Sequence, residues 1–261
     1  MKDIRLISLC SGSSGNACLI CAGEDAILID AGKNARYLCR AMQESGVDAG
    51  KIRAVFVTHE HSDHIRALPV FLKKYPVPVH VTQATAAYLQ SDPVTGSHLA
   101  LHRPIYTEQV GRIRVTSFCT PHDSICPVGF RIEVERDGQP FRIGYATDLG
   151  YVSPEVENGL FGCDAAVLES NHDPQMLREG NYPEDLKRRI ASGRGHLSNP
   201  DCAAFAAKLR ESGTRRFLLA HLSRENNTPD LTIAEFLRIL PQKDLTVRVA
   251  EADTAVELPL E

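Results

Sequence analysis

The sequence predicts a mixed α and β fold in which sheets pack on each other with helices outside. Three observations predict it: short β-branched runs recur along the whole chain, segments of helical period stand between them, and the first half is dominated by strand pairs joined by tight turns. In chain order, strand runs fall at 4–9, 17–21 and 26–29, the last two meeting at the turn Gly23-Glu24-Asp25. A helical segment at 35–45, a strand at 54–57, a helix at 65–74, a strand at 77–81 and a helix at 84–90 follow. Strands at 112–118, 129–134 and 141–145 come next, with a second hairpin turn at Asp137-Gly138. The chain closes with a strand at 165–168, helices at 182–192 and 200–212, a strand at 216–219, a helix at 229–240 and a strand at 246–249. Several helical segments open at Asn, Thr or Pro and end near Gly, as capping requires. Gly and Pro mark turns one at a time, with no linker, repeat or low-complexity run, so a single domain over residues 1–261 is expected.

Composition narrows the function classes. The chain has 261 residues, near the size at which one hydrophobic core stops growing. Twenty-nine Lys and Arg against 33 Asp and Glu leave a formal charge of −4, so no global basic field exists to hold nucleic acid by charge alone. With 43% hydrophobic and 24% charged residues, disordered and fibrous chains are excluded. No apolar run approaches the roughly 20 residues that span a bilayer, so no membrane contact is expected. The charged start Met1-Lys2-Asp3 lacks a signal-peptide core, and a cytoplasmic location is expected. The eight Cys are scattered in apolar-looking segments, and most are expected to be buried thiols.

The informative stretch is Thr58-His59-Glu60-His61-Ser62-Asp63-His64, which puts four possible metal ligands into six residues directly after an apolar strand. On extended chain His59 and His61 share one side, and a turn toward a helix lets Asp63 and His64 address a second nearby position. Two metal ions are therefore expected. The residue four after His59 is Asp63, which excludes the His-Glu-x-x-His helix motif. A mixed imidazole and carboxylate set suits Zn or Mn, with Fe also compatible. Further ligands must come from elsewhere, and His122, Asp148 and His221 each follow an apolar strand run.

With its His-x-His-x-Asp-His signature and three later single residues in this order, the chain resembles the metallo-β-lactamase-fold hydrolase superfamily. The resemblance implies an αββα four-layer sandwich, α and β mixed, with the site at one end. It assigns His59, His61 and His122 to a first metal, Asp63, His64 and His221 to a second, and Asp148 to a bridge between them. One departure is Ala67, where the family commonly has Gly. The segments Ser8–Asn16, Thr147-Asp148-Leu149-Gly150, Glu169-Ser170-Asn171-His172-Asp173 and Gly195-His196-Leu197-Ser198-Asn199 resemble the YycJ-like (WalJ-like) bacterial branch, associated with 5′-to-3′ exonuclease activity on DNA.

That likeness implies a dinuclear phosphodiesterase in which a hydroxide shared by two divalent ions is the nucleophile, Asp63 orients its proton, and His196 protonates the leaving oxygen. Glu169 is expected to orient His196, with a plain structural cap as the alternative. Ser13 and Ser14 in the Gly-rich loop, Asn171, Arg194 and Ser198 are expected at the substrate, and Asn199 is expected to cap the helix that follows. Lys187, Arg188, Arg189, Arg194, Arg215, Arg216 and Arg224 form a candidate basic rim, and Tyr37, Tyr151 and Tyr182 are stacking candidates. DNA is the expected partner. The alternatives are RNA processing, a small cyclic phosphodiester or thioester substrate, and a non-catalytic metal-stabilised binding protein. His80, His98, His102 and His172 receive no role. Composition fixes no oligomeric state.

Overall fold

A computed structural model describes residues 4–136, 138–241 and 243–261. The first sheet contains β1 (Ile4–Cys10), β2 (Ala17–Ala22), β3 (Asp25–Ile29), β4 (Ile52–Phe56), β5 (Val79–Thr82), β6 (Leu99–His102) and β14 (Val256–Leu258), in the order β14-β1-β2-β3-β4-β5-β6. The second contains β7 (Thr107–Val110), β8 (Ile113–Cys119), β9 (Val128–Arg136), β10 (Gln139–Ala146), β11 (Ala165–Glu169), β12 (Arg216–Ala220) and β13 (Thr246–Val249), in the order β13-β12-β11-β10-β9-β8-β7. From β3 to β6 the first sheet is parallel, and so is the second from β10 to β13.

Two-faced burial explains why these strands read as near-continuous apolar runs. In β3, Ile27 and Ile29 face the second sheet, while Ala26 and Leu28 face helices. Between the sheets, Phe56, Ile27 and Leu6 meet Phe130, Ile132, Ile143 and Val167. Leu38, Met42, Leu68 and Phe71, from α1 (Ala35–Glu44) and α3 (Leu68–Lys74), cover the outer face of the first sheet, joined by Ala86 and Leu89 of α4 (Gln83–Leu89). Val156 and Leu160 of α6 (Pro154–Leu160), Phe205 and Leu209 of α9 (Asn199–Glu211) and Phe236 of α10 (Pro229–Ile239) cover the second. The four layers are the expected αββα sandwich.

The differences from the sequence reading have local causes. The segment at 65–74 divides into α2 (Ser62–Ile65) and α3, because Pro69 in the first turn of α3 lacks the N–H that would continue the earlier helix. Strands β6, β7 and β14 are only three or four residues long; β7 alternates exposed and half-buried residues, and the apolar part of β6 is the three residues Leu99-Ala100-Leu101. Short helices α5 (Pro93–Gly96), α6 and α7 (Pro174–Glu179) begin at proline behind an Asp or Ser cap; α8 (Glu184–Ile190) is the core of the segment at 182–192. Of the Cys, four are buried and Cys21, Cys39, Cys119 and Cys126 are half-exposed; all eight are free thiols. The turn residue Asp137 and the leading Met1, Lys2 and Asp3 lie outside the described residues. Among the described residues no helix is long and apolar enough to cross a membrane.

Phe130 is fully buried between the sheets and meets Phe56 edge-on at 5.8 Å. Phe130→Ala should lower unfolding stability by about 3–5 kcal/mol, read from the urea midpoint; a loss below about 1 kcal/mol would contradict the packing described.

Candidate metal centre

Every residue of the centre leaves the end of a strand. His59 comes three residues after β4, His122 three after β8, Asp148 two after β10 and His221 one after β12, while Glu169 closes β11. His61 is the last extended residue before α2, with φ −61° and ψ 144°, and Asp63 and His64 lie in the first helical turn. That change of backbone lets one short segment serve two positions. Asp30, Asp148 and His221 have φ values of 59°, 58° and 59°. Left-handed backbone is unfavourable for a residue with a Cβ, and it turns each of these side chains sharply off its strand.

Ligand atoms of His59, His61 and His122 lie within 4.8 Å of one another, and so do those of Asp63, His64 and His221. Asp148 stands between the two groups: Oδ2 is 3.4 Å from His64 Nε2, and Oδ1 is 3.7 Å from His122 Nε2. Asp63 Oδ2 is 3.5 Å from His64 Nε2 and 3.7 Å from His221 Nε2. Nε2 of His59, His122 and His221 and Oδ2 of Asp148 are buried without a hydrogen-bond partner. Orphaned buried lone pairs within these ligand groups are costly unless a cation takes them, so these residues fit divalent metal ions.

The electrostatics agree. Burial pulls the His64 and His221 pKa values down, but Asp148 and the neighbouring carboxylates outweigh it, and His221 is raised to about 10. Burial works against ionisation of Asp63 and Asp148 too, yet the surrounding imidazoles hold both below the ordinary carboxylate value. His59 and His122 are pushed down by burial and, for His59, by adjacent imidazoles. A buried set this rich in carboxylate attracts positive charge, whether protons or metal.

A second set of side chains holds the first. Asp30, which the sequence reading missed, is fully buried; Oδ2 lies 2.7 Å from His64 Nδ1 and accepts from the Thr58 hydroxyl, and Oδ1 accepts from Thr58 N. The available signal was a carboxylate directly after the apolar run 26–29. Glu169 Oε1 is 2.7 Å from His221 Nδ1 and 2.8 Å from His196 Nδ1, while Oε2 accepts from the backbone of Leu149 and Leu197. His122 Nδ1 lies 3.1 Å from Gly195 O. Glu60, a second buried carboxylate without a sequence assignment, accepts from Ile125 N and ties the signature to the loop carrying His122. A Cβ at Gly32 would fall 1.5 Å from the Asp63 carbonyl oxygen, so only glycine permits that approach. Ala67 is buried with φ −80°, a conformation that does not require glycine.

On the substrate side the structure separates the expectations. Arg194 is exposed on a groove of about 510 Å³ shared with Glu60, Asp123, Ser124, Ile125 and Arg189, and its guanidinium has no partner among the described residues. Ser13 is exposed and Ser14 accepts from Arg224 Nη2. Asn171 instead donates to His221 O, and Ser198 rather than Asn199 caps α9. The Asn171 amide is thus engaged by backbone, while the Ser198 hydroxyl accepts from Asp201 N and donates to Asp201 Oδ2. Lys187 and Arg188 pair with Glu184 and Asp185, Arg189 with Asp123, and Arg224 with Asp253. Arg215 and Arg216 lie at the far end of β12 from His221, since five extended residues span about 17 Å. Tyr37 donates to Leu9 O, Tyr182 is half-buried and Tyr151 is exposed. His172 is buried with Nδ1 unpartnered, outside the groups of ligand atoms.

Residues 25–222 match the family model described as a beta-lactamase superfamily domain. The chain is 33% identical over 243 residues to exodeoxyribonuclease YycJ of Bacillus anthracis, covering 92% of this chain and 90% of that protein. Its identity to exodeoxyribonuclease WalJ of Streptococcus pneumoniae serotype 2 is also 33%, over 245 residues, with the same coverage. Among solved structures, the metallo-beta-lactamase fold protein YhfI from Bacillus subtilis superposes with a TM-score of 0.71 at 19% identity, covering 98% of this chain and 100% of that one.

If Asp30 orients His64, Asp30→Asn should weaken metal binding by about 10–100-fold, in competition with a chromogenic chelator, while far-UV circular dichroism stays unchanged. Equal affinity in the variant would remove that role.

Proposed function

The chain belongs to the beta-lactamase superfamily, and from that membership and the cleft geometry we propose that it is a dinuclear metal-dependent phosphodiesterase acting as a 5′-to-3′ exonuclease on DNA, within one domain spanning residues 1–261. The observation that carries the reading is His196. It is held on Glu169 at the edge of the ligand cluster, and the chain aligns over most of its length with relatives named exodeoxyribonucleases. A thioester releases a thiolate, which can leave without a proton, so a hydrolase acting on one has less need of a separate acid than one that expels an alkoxide.

The proposed ligands are His59, His61 and His122 for one ion, Asp63, His64 and His221 for the other, and Asp148 for both. Divalent cations so held, Zn or Mn, supply a water acidified toward neutral pH and neutralise phosphate charge. Asp63 would accept a hydrogen bond from that water and help orient it, while Asp148 would help hold the ions. His196 Nδ1 is engaged by Glu169 Oε1, which leaves Nε2 to face the leaving oxygen. Burial lowers the His196 pKa, but Glu169 and Asp148 more than offset this and raise it above the ordinary imidazole value. The upward shift favours the protonated ring, the form that can give up a proton as the P–O bond breaks. Arg194 supplies the unpaired cation that meets the phosphate backbone, and Tyr151 offers an exposed ring for a base.

His196→Ala should retain the metal content of the parent and slow cleavage of end-labelled DNA by about 10²–10⁴-fold. His61→Ala and Asp148→Ala should lose metal and cleavage together. Parent-like turnover by the His196 variant, or loss of its metal, would contradict its role. Faster turnover of a thioester or of RNA than of single- and double-stranded DNA by the parent would overturn the substrate assignment.

A further inference from the structure

Three side chains left without a role by the sequence meet at the edge of the sandwich, apart from the paired centre. Strands β5 and β6 run parallel with His80 opposite Ala100 and Thr82 opposite His102. His80 and His102 therefore project from one face, offset by two register positions. Glu108 comes from β7, the edge strand of the other sheet. His80 Nδ1 lies 2.9 Å from His102 Nε2, and Glu108 Oε1 is 3.7 Å from His102 Nδ1. One ligand atom from each of the three falls within 4.8 Å of the others.

The cluster is fixed rather than frayed. Phe56 stacks on His80 with ring centroids 4.6 Å apart and planes 10° apart, and Tyr106 stacks on His102 at 4.0 Å and 12°. His80 is 7% exposed. Burial and its neighbour His102 push the His80 pKa down to about 4, and burial lowers that of His102. Both rings are accordingly neutral at pH 7, the form that ligates metal. Two nitrogens 2.9 Å apart can each lie about 2.1 Å from one cation at an angle near 90°. A carboxylate beside the second ring either completes the set or fixes the ring for it.

We propose that His80, His102 and Glu108 form a third cation site, separate from the catalytic pair, which takes a borderline divalent ion of the Zn2+ class and clamps the edge of one sheet to the edge of the other. Two ligands come from the first sheet and one from the second, so an ion bound there resists separation of β6 from β7. Val57 N donates to His80 O, which also ties the clamp to the strand leading into His59. The site does not depend on what the catalytic pair hydrolyses.

Calorimetric titration of Zn2+ into metal-depleted full-length protein tests it, with the parent compared to His102→Gln and Glu108→Gln. The parent should bind one equivalent more per chain than His102→Gln, and Glu108→Gln should bind that equivalent at least about tenfold more weakly. Melting temperature should rise with the last equivalent in the parent and not in His102→Gln. Equal stoichiometry and equal affinity in all three proteins would overturn the proposal, because an equivalent that survives both substitutions is adventitious. If His102→Gln fails to fold, the partly exposed Glu108→Gln decides: parent-like binding of every equivalent would again overturn it.

Discussion

Carboxylates buried at one end of the sandwich are the constraint on which the rest of the structure depends. Asp30, Asp148 and Glu169 are each at most 3% exposed, and an ionised carboxylate so far from water is tolerated only with positive charge or several donors around it. Imidazoles and backbone amides supply these: His64 and Thr58 for Asp30, His196, His221, Leu149 N and Leu197 N for Glu169, and His64, His122 and His221 for Asp148. The same carboxylates orient the rings, so the arrangement that removes the burial penalty also aims the nitrogen lone pairs.

Convergence requires both sheets. The first contributes the signature that follows β4 and the Asp30 that follows β3; the second contributes His122, Asp148, Glu169 and His221. The packing of Phe56, Ile27 and Ile29 against Phe130, Ile132 and Ile143 sets the distance between these strand ends. Close backbone approach does the fine positioning. Gly32 lies against Asp63, a Cβ on Gly150 would fall 2.2 Å from Gly193, and one on Gly195 would fall 2.2 Å from Arg189 O. Glycine at these three points lets the loops bearing Asp63, Asp148 and His196 close on their neighbours.

Around the cleft, little of the positive charge is uncommitted. Arg189 is clamped on Asp123 and Arg224 on Asp253, whereas the Arg194 guanidinium is unpaired among the described residues. Exposed ion pairs of this kind contribute little to stability. A phosphate can therefore compete for Arg189 and Arg224 at small cost, and the effective charge of the rim depends on what is bound. On the proposed function, a chain of net charge −4 would hold its anionic substrate through the bound ions and a few cations rather than through a broad basic face.

By itself the sequence determined strands and helices consistent with packed sheets and the dense ligand segment after β4, because apolar periodicity and ligand spacing are local properties of the chain; the αββα layering and the ligand roles of His122, Asp148 and His221 followed from the family resemblance. The strand runs with both faces apolar marked the central sheets, and four possible ligands within six residues marked the centre. Tertiary structure decided what depends on partners distant in sequence. Asp30 had looked like any acid after a strand until the fold brought it to His64, and Asn171 and Ser198 proved to bind backbone. Arg215 and Arg216 were carried to the wrong end of their strand, and His80 and His102 were brought edge to edge. Short edge strands such as β6 and β7 escaped notice for the same reason: their pairing, not their own hydrophobicity, makes them strands. A side chain's role follows from what faces it, and those contacts join residues more than two hundred positions apart, as Ser11 and His221 are.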